Sequence, residues 1–192
     1  MLRRILGVVV AAGALAAPVV AQRAIVLNVN AGAYQHLVNL NAYGNPIADF
    51  TPGYNLGFSA GLELSPWVAV HGDVTFANAH ARGLSYFSGA DVERFFYGVH
   101  FELRYPQPDR WTPYGFLGAG AVTVTEPTAH TLPTFTRPAG MFGFGAGYRP
   151  ARTAVELFAE GKGLVYRWNV DGFNRMQTDV TFSLGVAYRV KW

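Results

Sequence analysis

Apolar and polar residues alternate with a period of two through most of this chain. In residues 178–192 the apolar row is Val180, Phe182, Leu184, Val186, Tyr188, Val190 and Trp192. The other row is Asp179, Thr181, Ser183, Gly185, Ala187, Arg189 and Lys191. Residues 53–65 repeat the pattern, with Tyr54, Leu56, Phe58, Ala60, Leu62 and Leu64 against Asn55, Gly57, Ser59, Gly61 and Glu63. A strict period of two marks a β-strand with one apolar and one polar face. Weaker alternation predicts strands over residues 24–34, 67–77, 91–105, 139–148 and 153–166. Residues 111–125 read as a further strand, but Gly118-Ala119-Gly120-Ala121 offers no contrast from which to assign its facing. The eight strands are joined alternately by long polar segments (36–52, 78–90, 126–138, 167–177) and by short turns marked by Pro66, Pro106 and Pro150.

Composition turns this strand list into a membrane protein. Charged residues are 14%, against about 25% for soluble domains, while hydrophobic residues are 51% and aromatics 15%. Beyond the N-terminus no segment is long and apolar enough for a spanning helix, and in lipid only helices and closed barrels satisfy every backbone group. The start of the chain names a compartment. Arg3 and Arg4 precede an apolar run over residues 5–17, and Ala21 ends a small-residue cleavage site, so residues 1–21 read as a cleavable signal peptide and 22–192 as the mature domain. The mature N-terminus is Gln22, not the cysteine of a lipoprotein, and the chain has no cysteine for disulfides. Losing the leader leaves basic and acidic residues nearly balanced, and no Lys/Arg run makes a nucleic-acid footprint.

The expected fold is therefore all-β: an eight-stranded antiparallel up-and-down transmembrane β-barrel. The order of strands and connections resembles the OmpA/OmpX-type barrels of bacterial outer membranes over the whole mature chain, and the segment PYGFLGAGA (113–121) is similar to one common in small members. Residues 178–192 resemble that family's C-terminal assembly signal, carried here by Gly185, Tyr188, Val190 and Trp192. In the family the glycine lies five residues before the final aromatic. Here that spacing reaches Val190, so the signal is read either from Trp192 in a shifted register or from Val190. The resemblance implies a monomer among outer-membrane lipids, delivered by periplasmic chaperones and the barrel-assembly machinery, with no cofactor. Its implied role is structural or surface-interactive through the four long loops, with an unknown surface ligand. A small porin-like channel is the alternative, and a lipid A-modifying hydrolase the third reading. The His-x-Ser element of outer-membrane lipid A deacylases is absent: Val38, Asp73, Arg82, Glu102 and Leu132 stand two places after the five histidines.

Eight strands enclose a lumen that side chains fill. The inward rows predict a structural polar network of Glu63, His71, Asp73, His100, Glu102, Arg104, Glu156, Glu160, Lys162 and Arg189, paired because the site is dry. Arg189 is expected at the height of Glu156. A metal at His71 and His100 with Asp73 and Glu102 lacks compact spacing, so these read as satisfied lumen residues. Leu64 is expected opposite Val68 around Ser65-Pro66-Trp67, which places Gly61 opposite His71. Pairing Tyr148 with Thr153 would put Gly145 opposite Glu156 and Gly143 opposite Phe158. Aromatics near strand ends predict two girdles: Trp67, Tyr105, Trp111, Tyr148 and Trp192 at one interface, Tyr54, Phe76, Phe95, Tyr166 and Trp168 at the other.

Overall fold

The computed structural model describes residues 24–37, 40–42, 45–83, 91–107, 110–125, 134–151, 153–170 and 173–191. The expected signal peptide (1–21) and Trp192 lie outside them. The strands are β1 (Ala24–His36), β2 (Leu40–Ala42), β3 (Asn45–Phe50), β4 (Gly53–Ser65), β5 (Val68–Gly83), β6 (Asp91–Arg104), β7 (Trp111–Thr125), β8 (Phe135–Tyr148), β9 (Val155–Val170) and β10 (Phe173–Lys191). Eight of them run β4-β1-β10-β9-β8-β7-β6, and β5 joins β6 back to β4, so the antiparallel sheet is closed. β1 is zipped to β10 from Ala24↔Lys191 to His36↔Asp179. β2 and β3 form a hairpin on the far end of β5, where Phe50 pairs with Ala81.

Parity sets the facing throughout. The outer wall carries Val29, Leu56, Phe58, Val99, Phe101, Leu117, Phe144, Phe182 and Leu184, all strongly exposed, while the alternate residues are buried inside. Apolar outside and polar inside is the opposite of a soluble barrel, and fits a wall solvated by lipid. Among the described residues no helix is long and apolar enough to cross a membrane. At the short-turn end Trp67 packs on Tyr105 at 5.6 Å and Trp111 on Tyr148 at 5.0 Å between ring centroids. Toward the other end Tyr54 lies 6.2 Å from Phe76 and Phe95 lies 6.0 Å from Tyr97. These are two girdles.

Several expectations need correction. Tyr166 and Trp168 belong to no girdle: they occupy inward positions of β9 and are buried in the lumen. β7 faces inward with Phe116, Val122 and Val124 and outward with Leu117 and Thr123, an inversion of hydropathy at its upper end that no local rule reveals. The turn after β4 is shorter than expected. Ser65 itself pairs with Val68, and a bulge at Leu64 absorbs the odd residue while keeping Glu63↔Ala69 and Gly61↔His71. Between β8 and β9 the register is displaced by four residues. Tyr148 pairs with Leu157, Gly147 with Phe158, Gly145 with Glu160 and Gly143 with Lys162. The turn is wide because its backbone serves its neighbours: Arg149 N–H donates to Arg110 O at 3.1 Å, and Arg189 N–H to Ala154 O at 2.9 Å. A displacement of four preserves parity, so glycine still faces a large side chain.

Three long connections are also shorter than the alternation suggests. β5 continues to Gly83, β8 begins at Phe135, and β9 and β10 run to Val170 and from Phe173. Beyond the lipid zone both faces of a strand meet water or other polar groups, so the period-two signal fades while the ladder persists.

Candidate functional site

The lumen is a packed interior divided into two layers. The layer at the short-turn end is ionic. Arg104 on β6 donates through Nε to Glu102 Oε1 and through Nη1 to Glu63 on β4. Arg189 on β10 lies 2.7 Å from the same Glu63 and 2.8 Å from Glu156 on β9, the latter a Coulombic contact rather than an aligned hydrogen bond. Arg149, reaching in from the β8–β9 turn, donates to Glu156 at 3.0 Å. One step higher, Lys162 on β9 crosses the barrel to β5. It donates to Asp73 Oδ2 at 2.8 Å and to Thr75 at 3.2 Å, and lies 3.7 Å from Glu160. Tyr114 donates to Glu160 at 3.2 Å. All ten residues expected in the network face the lumen, and eight of them form this chain of cross-barrel ion pairs. Arg189 stands beside Glu156 as expected.

His71 and His100 are the exceptions. Directly opposite on β5 and β6, their rings stack at 5.1 Å, and no hydrogen bond reaches either ring nitrogen of His71 or Nδ1 of His100. His71 Nε2 lies 3.9 Å from Glu102 Oε2. The ring rests on Gly61, where a Cβ would collide with the imidazole, so that glycine is required by close approach.

The layer at the long-connection end is largely apolar: Phe96, Val122, Val124, Phe135, Met141, Leu164 and Trp168 pack as a core. Set into it is a second polar cluster that sequence reasoning missed. Asp179 on β10 accepts from His36, from Tyr166 O–H at 3.0 Å, and lies 3.4 Å from Arg94 Nε. The Arg94 guanidinium also sits 4.7 Å from the Phe50 ring and 5.2 Å from the Tyr34 ring. Arg94 and Asp179 both stood on inward rows, so parity contained the signal. His36 and Phe50 fell in a segment read as loop.

A cavity of about 20 Å³ lies in the ionic layer against Asp73, His100, Glu102 and Glu160, room for about one water. On the outer wall a shallow groove of about 460 Å³ lies over Ala146, Ala159 and Gly161 between Phe144, Phe182 and Leu184. It is a gap among lipid-facing side chains. At the upper rim His80 Nδ1 meets Asp91 at 3.1 Å, with both side chains half exposed. They are ladder neighbours, and an exposed pair of this kind contributes about 0–1 kcal/mol.

A closed eight-stranded barrel with an apolar outer wall, aromatic girdles and a filled ionic lumen defines a small transmembrane β-barrel. The chain belongs to the outer membrane protein β-barrel domain family, whose model matches residues 7–190, and it is a protein of the outer membrane. The short turns of such barrels lie in the periplasm and the longer connections outside. Solved structures with the same fold include Neisserial surface protein A (13% identity, 87% of this chain and 97% of that chain, TM-score 0.61). OprG from Pseudomonas aeruginosa (16%, 88% and 96%, 0.52) and Ail, the attachment invasion locus protein of Yersinia pestis (16%, 88% and 99%, 0.50), are similar too. No curated protein sequence matches the chain.

Proposed function

We propose that this protein is a closed, non-catalytic barrel with a structural or surface-interaction role, acting as a monomer through its extracellular end. The observation that carries this reading is the plug. Arg104, Arg189 and Lys162 each join carboxylates on different strands across the ionic layer, and Phe96, Met141 and Trp168 pack in the apolar layer above it. Transport would require both layers to be displaced, against ion pairs that are costly to break in a dry interior. Specificity then resides in the long connections, where loops carried on a rigid scaffold hold binding residues.

The same reading makes residues 1–21 a removed export signal. It also makes the C-terminal stretch with Gly185, Tyr188, Val190 and Trp192 the one that the barrel-assembly machinery recognises. Planar-bilayer recording of the purified protein tests the central point. Folded protein should insert without unitary conductance. Reproducible steps, abolished by boiling, would replace this reading with the porin-like channel.

A further inference from the structure

We propose that His71, His100 and Glu102 form a binding site for a divalent metal ion of the zinc type inside the barrel. One ligand atom from each of the three buried residues lies within 4.8 Å of the others. β5 and β6 create the cluster. Their register sets the two histidines directly opposite, and Glu102 is two residues from His100 on the same face. Sequence spacing conceals this, because the ligands are brought together across a ladder and not along a strand.

The unpartnered nitrogens point to a ligand. His71 is fully buried and His100 nearly so, and three of their four ring nitrogens have no hydrogen-bond partner. Buried polar atoms without partners need a physical account. A proton alone does not supply it. An imidazolium donates from both nitrogens, and His71 Nδ1 faces Gly61 without a hydrogen-bond partner. A metal needs only one nitrogen from each ring.

Glu102 is already oriented for the task. Its Oε1 is held by Arg104 Nε, which leaves Oε2 turned toward His71 Nε2 at 3.9 Å. A carboxylate fixed through one oxygen and presenting the other is the usual outer-shell arrangement of a metal ligand. Two imidazoles and one carboxylate suit zinc, cobalt or nickel and not calcium or magnesium, which take oxygen ligands. The adjoining cavity of about 20 Å³ holds the water that completes a fourth position. Metal–ligand bonds of about 2.0–2.2 Å require the three donors to draw together by about 1 Å, through rotation of the stacked rings.

The test uses protein purified from outer membranes in detergent, stripped with a chelator and titrated with Co²⁺. We expect one cobalt per chain, the strong visible absorption of four-coordinate cobalt, and its displacement by Zn²⁺. His71→Gln and His100→Gln should each weaken binding by at least about tenfold, while His80→Gln at the rim titrates as wild type. Each variant's folding is checked by its heat-dependent gel migration. Folded wild-type protein that develops no such absorption overturns the site, whatever the variants do. So does an unchanged titration in folded His71→Gln and His100→Gln proteins.

Discussion

Lys162 shows what a single side chain contributes in this interior. Its ammonium is buried, bonded to Asp73 and Thr75 and close to Glu160. Removing it leaves Asp73 charged in a medium that cannot solvate it. Lys162→Met should therefore destabilise the barrel by about 3–5 kcal/mol, whereas Lys162→Met with Asp73→Leu should recover most of the loss, because an apolar pair of similar volume often replaces a buried ion pair without penalty. Urea unfolding in lipid vesicles, followed by tryptophan fluorescence, measures both; a double variant no more stable than the single would contradict the argument. At this scale the sequence revealed which residues face inward, since parity alone placed all ten of the network. It did not reveal who pairs with whom, because a partner such as Asp73 for Lys162 lies 89 positions away. Residue type also misled: Tyr166 continues the inward parity of residues 153–166 and Trp168 fell in a segment read as a connection, yet their chemistry suggested a girdle.

β10 illustrates what an element encodes and what it omits. Its alternation runs unbroken through the lipid zone, so Leu184 faces outward at 72% exposure between inward Ser183 and Gly185. Placed about midway between the two girdles, Leu184→Arg should cost roughly 2–4 kcal/mol, while Met176→Arg, near the extracellular start of the strand, should cost about 0–1 kcal/mol. Reversible unfolding of the two variants in the same vesicles gives the comparison, and equal losses would show that the wall does not meet lipid as described. Strand existence and facing were legible in β4, β6 and β10, where bulky apolar and polar residues alternate. They were illegible in β7, where glycine alternates with alanine and Val122 and Val124 point inward. Register was the least legible property. The β8–β9 displacement of four leaves every residue on its face, so hydropathy cannot distinguish the two pairings, and the choice falls to turn contacts such as Thr153 Oγ1 with Pro150 O at 3.0 Å.

At the scale of the whole molecule, closure separates the barrel from the hairpin built on it. Each of the eight wall strands is bonded on both sides, so no strand can leave without breaking two ladders and the ionic layer together. β2 and β3 have no such hold. Among the described residues the hairpin pairs with the wall through Ala48↔Gly83, Asp49↔Arg82 and Phe50↔Ala81 on β5, with Phe50 also packed on Arg94 and His36 and β2 lying close to β10. The closed barrel should therefore fold without the hairpin. Replacing residues 40–48 by a short Gly-Ser linker, with Phe50 retained, should leave the difference in gel migration between unboiled and boiled protein unchanged, along with the temperature at which it disappears. Replacing Phe50 by Ala as well removes a ring from above the guanidinium and should lower that temperature, because the stacking is worth about 1–2 kcal/mol where the cation is desolvated. If excision of residues 40–48 alone abolished the migration difference, the hairpin would have to be part of the barrel's folding unit. Retention of the difference would instead mark this segment as the part of the molecule free to vary for surface contacts while the closed wall stays fixed.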